Sequence, residues 1–148
     1  MVTLIATNKQ ALFDYEIIER FDAGVVLTGQ EVKSVKGGHI NLKASYVTLT
    51  GGEVWLFNAH IPLYKKASVV GEYDPYRSRK LLLNRREVEK LMHARTTDGL
   101  TIVPLSVYTS HGKVKVEIGI GRGRKQFEKR EVLKKRAVVR EMQKHLKN

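Results

Sequence analysis

Residues 113–120 alternate strictly. Val114, Val116, Ile118 and Ile120 fall on one side of an extended chain, and Lys113, Lys115 and Glu117 fall on the other. Thr101 to Tyr108 sets Val103, Leu105 and Val107 against Pro104, Ser106 and Tyr108. With Ser110-His111-Gly112 as the turn, the two runs predict an antiparallel hairpin with one wet, basic face. Pro104 cannot donate to a ladder, which predicts an edge position or a bulge there. A second hairpin is predicted from Tyr46–Thr50 and Glu53–Asn58 around Gly51-Gly52. Tyr15 to Leu27 reads as a long strand, with a bulge or bend at Asp22-Ala23-Gly24. Leu81-Leu82-Leu83 reads as a short strand.

Helical signals are short. Asn8 is placed to cap a turn over Lys9–Asp14. In Gly29–Lys36, Val32 and Val35 share a face, and Gly37-Gly38 supplies the stop. Asn84 caps a helix that runs to Arg95, with Val88, Leu91 and Met92 on its inner face. Residues 1–7 form a short apolar lead, and residues 59–80 an irregular loop carrying Lys65, Lys66, Arg77, Arg79 and Lys80. About six strands with two or three short helices predict a mainly β protein. A small antiparallel barrel of the oligonucleotide-binding-like kind fits best, because closure removes exposed edges.

Charge changes this picture at one end. The net charge is +12 over 148 residues, and two thirds of it lies from Gly121 onward, where eleven basic residues face three acidic ones. Such a segment buries too little apolar surface to fold alone and suits a polyanion. The expected division is a β body over 1–121 and a basic tail over 122–148, disordered in isolation and helical once its charges are neutralised. Val132, Val139, Met142 and Leu146 form a thin stripe along that helix. If about six tail cations met phosphates, log K would fall against log salt with a slope of roughly −4 to −5. Phe127 among the cations suits either stacking on an unpaired base or plugging the end of the barrel.

Other classes are disfavoured. Cysteine is absent, which excludes disulfides and thiolate metal sites. The five histidines are scattered with no metal-ligand spacing, and Gly119-x-Gly121-x-Gly123 lacks a dinucleotide context. Neither a cofactor nor an enzyme activity is expected. No apolar run approaches a membrane span, and the N-terminus has no signal-peptide pattern, so a cytoplasmic protein is expected. The competing readings are a general or ribosomal RNA-binding protein and, more remotely, an RNA-processing nuclease.

Three motifs carry a resemblance. Gly29-Gln30-Glu31-Val32-Lys33-Ser34, Asp74-Pro75-x-Arg77-x-Arg79-Lys80-Leu81-Leu82-Leu83-Asn84 and Gly123-Arg124-Lys125-Gln126-Phe127-Glu128-Lys129-Arg130 resemble the small protein B family, the SsrA-binding proteins of bacteria. Asn8-Lys9 and Tyr15-Glu16-Ile17 fit the same pattern, which covers residues 7–148. The resemblance implies a barrel that binds the tRNA-like domain of transfer-messenger RNA and carries it to stalled ribosomes for trans-translation. The tail would enter the empty mRNA channel. Elongation factor Tu and alanyl-tRNA synthetase would act through the same RNA, on a monomeric adaptor. Carried over by motif, the RNA-facing residues are Asn8, Asp22, Glu31, Leu82, Asn84 and Lys115, with Lys33 and Arg79 from the same motifs. The ribosome-facing residues are Arg122, Arg124, Lys125, Phe127, Glu128, Lys129, Arg130, Lys134, Lys135 and Arg136. The chain departs from the family pattern at Asp22, Glu117 and Phe127, where members often have Glu, Lys and His, and at Val138, where some have Trp.

Overall fold

The structure is a computed structural model that describes residues 1–65 and 71–146. Lys66 of the basic loop and the last two residues of the tail lie outside the described residues. In chain order the elements are β1 (Val2–Thr7), α1 (Lys9–Asp14), β2 (Tyr15–Val25), α2 (Gly29–Lys36), β3 (Tyr46–Thr50), β4 (Glu53–Phe57), β5 (Arg79–Leu82), α3 (Arg85–Arg95), β6 (Leu100–Ser110), β7 (Lys113–Gly123) and α4 (Gln126–Leu146). The strands form one antiparallel sheet in the order β1-β6-β7-β2-β5-β4-β3.

The mainly β, oligonucleotide-binding-like architecture expected from the alternation is present. It has seven strands rather than about six, because residues 2–7 pair with β6. The sheet rolls up but is not closed by backbone ladders: β1 and β3 are its two ends. Instead β3 packs on β6 through side chains, and the Arg95 guanidinium at the end of α3 donates to the Leu49 carbonyl of β3. Inside the roll lie Phe21, Val47, Leu49, Val54, Leu56, Leu81, Val107, Val116, Ile118 and Ile120, with Leu91 and Ala94 of α3. Leu91 is fully enclosed and Val88 half-buried, as the α3 periodicity predicted, but Met92 turns out to solvent with 47% of its surface exposed.

Both hairpin turns follow from their sequences. Gly51 (φ 61) and Gly52 (φ 76), then His111 (φ 53) and Gly112 (φ 76), place two consecutive residues in the left-handed region. That is the primed turn whose twist matches paired strands. Pro104 produces a bulge between Pro104 and Ser106, but not at an edge, since β6 lies between β1 and β7. Asn8 is what makes this tolerable. Its backbone N–H donates to the Leu105 carbonyl (2.7 Å) and its side-chain amide to the Pro104 carbonyl (2.9 Å). The irregularity of β2 falls at Ile17/Glu19, not at Asp22-Ala23-Gly24.

β7 continues through Gly123, two residues past 121, and α4 follows as one 21-residue helix with no buried residue.

Candidate nucleic-acid interface

Register builds a groove on the outside of the roll. Gly24 of β2 stands opposite Leu82 of β5 and also opposite Lys115 of β7. Three strands therefore set Leu82, Gly24 and Lys115 side by side on one face. Glycine keeps this spot open: a Cβ on residue 24 would lie 3.3 Å from the Leu82 Cβ and press on that side chain. The cleft of about 410 Å³ is lined by these residues with Val25, Leu27, Val32, Lys113 and Val114. Leu82 leaves 51% of its surface exposed, an apolar shelf beside two ammonium groups. Asn84, two residues beyond Leu82, is exposed and forms a capping box with Glu87. Its side-chain oxygen takes the Glu87 N–H (2.9 Å).

Asp22 lies two residues along β2 from Gly24 and so on the same face. It accepts from the Tyr108 hydroxyl (2.7 Å). Burial first, then the Asp22 carboxylate, pushes the Tyr108 phenol up to about 12. Glu117, where the family pattern has a lysine, is neutralised by Arg20 (2.8 Å). Lys33 is exposed on α2 and lines a second cleft of about 570 Å³ with Gln30, Tyr73 and Arg77.

Three residues expected to face RNA are buried and bonded within the fold. Glu31 and Arg79 are enclosed and pair with each other: Glu31 Oε2 accepts from Arg79 Nε (2.8 Å) and Nη2 (2.5 Å). The other carboxylate oxygen takes the Thr28 N–H (2.9 Å) and Arg77 Nη2 (2.5 Å). Burial alone would raise the Glu31 pKa, but donors from Arg77, Thr28 and Arg79 outweigh it and hold the carboxyl below its ordinary value. Buried charges survive only when paired and fully hydrogen-bonded, which this pair is. Asn8 is likewise used up, capping α1 at Ala11 N and closing the β6 bulge. These three act as framework. The sequence signal for Glu31 was Thr28-x-x-Glu31, a capping box now seen in both directions.

The tail is tied to the body at its root. Arg122 pairs with Glu16 (2.5 Å) and lies 3.7 Å from Glu128. The Arg124 N–H donates to the Asp14 carbonyl (2.8 Å), and Lys129 reaches the Asp14 carboxylate (3.2 Å). Lys129 and Arg136 both lie over the Phe13 ring, at 5.8 and 5.7 Å from its centre. The Gln10 amide lowers the Asp14 pKa most, burial opposes it, and Lys129 adds to the lowering. Lys125, Arg130, Lys134, Lys135 and Phe127 stay outward, Phe127 with 62% of its surface exposed, so it does not plug the roll. Tail root and groove occupy opposite ends of β2, about 30 Å apart at ~3.3 Å per residue.

Among the described residues there is no cluster of groups able to hold a metal, and no helix long and apolar enough to cross a membrane. A rolled antiparallel sheet with an apolar and cationic groove, carrying a separate cationic helix, defines an RNA-binding module of the oligonucleotide-binding-like class. The chain belongs to the SmpB protein family, whose model matches residues 5–148. It is 50% identical over 144 residues to the SsrA-binding protein of Sulfurihydrogenibium sp., covering 97% of this chain and 94% of that one. It is 47% identical to the SsrA-binding protein of Persephonella marina, covering 99% and 95%. It is also similar to a solved chain from the work described as "tmRNA-SmpB: a journey to the center of the bacterial ribosome". That match has a TM-score of 0.67 and 40% identity, over 82% of this chain and 85% of that one.

Proposed function

We propose that this chain binds the tRNA-like domain of transfer-messenger RNA and delivers it to stalled ribosomes for trans-translation. The observation that carries the reading is the pairing of Leu82 and Lys115 across Gly24, far along β2 from a helix whose cations face solvent. The groove takes the carried RNA: Lys115 and Lys113 meet phosphates, Leu82 packs against a sugar or base, and Asn84 offers its free amide N–H groups. Asp22 and Lys33 extend that contact. Arg122 to Arg136 serve the ribosome, with Phe127 stacking and α4 lying in the mRNA channel that a full-length message would otherwise fill.

The division of labour is a body over 1–121 and a tail over 122–148. Away from the ribosome the tail helix is marginal past its root, since beyond the Asp14 and Phe13 contacts it buries no residue and rests on propensity. Selectivity is geometric, with no chemical step. The protein works as a monomer in the cytoplasm, and elongation factor Tu and alanyl-tRNA synthetase act through the shared RNA. Binding is tested with transfer-messenger RNA against unrelated RNA of equal length at two salt concentrations. The expected result is a preference that persists at high salt. Equal affinity for both RNAs would overturn the reading. Truncation after Gly123 is expected to keep that binding and abolish peptide tagging.

A further inference from the structure

A pocket at the other end of the β4–β5 pair has no role in this scheme. It is about 490 Å³ in volume and is lined by Asn41, Lys43, Ala44, Asn58, His60 and Tyr76. These residues come from three separate loops, and the fold holds each loop in place. Asn41 and His60 exchange backbone hydrogen bonds of 2.9 and 3.0 Å. Asn58 donates its side-chain amide to the Ala44 carbonyl (3.1 Å), and both residues sit in the left-handed region at φ 63. For alanine that conformation is disfavoured, so the loop shape is imposed by its surroundings.

The back of the pocket is held by the buried arginine. Arg79 Nη1 donates to the Ala59 carbonyl (2.6 Å) and Nη2 to the Pro75 carbonyl (3.1 Å). Those are the residues immediately before His60 and Tyr76. The Glu31–Arg79 pair thus fixes the two rings that form the wall, whose centres are 5.0 Å apart and tilted by 56°. Tyr76 is half exposed, which leaves ring surface open. Asn58 continues into a second platform: Phe57 stacks on Tyr46 at 5.6 Å and 8°, with Tyr46 half exposed.

We infer that this pocket receives an unstacked nucleobase of a single-stranded or looped RNA segment, with the neighbouring base on the Tyr46–Phe57 platform. Aromatic faces supply sequence-tolerant stacking; the Asn41 oxygen accepts from the Lys43 N–H (2.8 Å) and the Asn58 amide serves Ala44, so the donor at a base edge is the Asn41 amide and the acceptor the Asn58 oxygen. Among the described residues Lys43 is the one ammonium in the lining, suited to a single phosphate and too little for a purely anionic ligand. The site is distinct from the Leu82–Lys115 groove. The inference rests on the reading of the chain as an RNA binder.

The test is isotope-edited NMR of the full chain titrated with a single-stranded RNA hexamer of mixed sequence. The side-chain amide resonances of Asn41 and Asn58 report the pocket, and the backbone amides of Lys113 and Lys115 report the groove. The expected result is saturable shifts at Asn41 and Asn58. Their apparent affinity falls about tenfold or more in Tyr76→Ala and stays within about twofold in Tyr76→Phe. Asn58→Gly keeps the left-handed backbone and removes the amide. It is expected to weaken the Asn41 shifts, with Leu82→Ser leaving them unchanged. Shifts at Lys113 and Lys115 with none at Asn41 and Asn58 would overturn the pocket and leave the proposed function standing. A Tyr76→Ala protein that titrates like the parent would also overturn it.

Discussion

The rolled sheet and α4 spend their charges in opposite ways. The sheet buries Glu31 against Arg79 and seals the pair with further donors from Arg77 and the Thr28 amide. Helix α4 buries nothing and leaves most of its cations in solvent. Charge inside the body specifies shape, because an unpaired partner there is intolerable. Charge on the helix specifies nothing until a polyanion arrives, because each exposed pair is worth little. The same residue types therefore carry architecture in one region and recognition in the other.

The sharpest way to break this contrast is to neutralise the tail. Changing Arg124, Lys125, Lys129 and Arg130 together to Gln is expected to lower peptide tagging by about a hundredfold or more, through lost phosphate contacts. The same variant should leave the urea midpoint of the body nearly unchanged. Tagging at the parental rate would refute the recognition role.

Removing one partner inside the body tests the other half. Arg79→Met strands the Glu31 carboxylate and is expected to cost about 3–5 kcal/mol in urea unfolding. Replacing both, as Glu31→Leu with Arg79→Met, is expected to recover much of that loss. If the double variant were less stable than either single one, the pair would have to be contributing beyond its own neutralisation.

Acid sharpens the comparison further. The Glu31 carboxyl is held below its ordinary value of 4.5, so the folded state favours the ionised form. Its contribution is present above that value and is lost as the pH falls through the lowered folded-state value. Unfolding followed from neutral pH down to pH 3 should show this slope, flattened in Glu31→Gln. The smallest effect belongs to the tail root. Asp14→Asn removes a half-buried surface contact to Lys129, worth about 1 kcal/mol or less. Amide exchange in the first turns of α4 should quicken with no change in the body.

Local rules made much of the fold readable. Gly51-Gly52 and His111-Gly112 announced their turns, Asn84 announced α3, and strict alternation from Lys113 announced β7. Residues 2–7 did not read as a strand, because their pairing depends on β6, about a hundred residues away. Arg79, a charged residue in a basic loop, reads as exterior, and the structure buries it completely. Yet period two along Arg79-Lys80-Leu81 already put it on the same face as the buried Leu81. Leu82 and Lys115 were each nameable by motif, but only register shows them sharing Gly24. The Asn41–Asn58–Tyr76 pocket had no periodic signal, since it is assembled from three loops.

The Asp14–Lys129 contact gives the tail a resting berth. On the proposed function, Lys129 cannot sit on a carboxylate and on a phosphate together, so leaving the body and engaging RNA would be a single exchange. Both sides of that exchange are ionic, and dissolved salt loosens both. The share of molecules with the tail docked on α1 should therefore respond to ionic strength far more weakly than the grip on RNA does. The handover is set by how many partners each side offers, a handful on the body against a lined channel on the other.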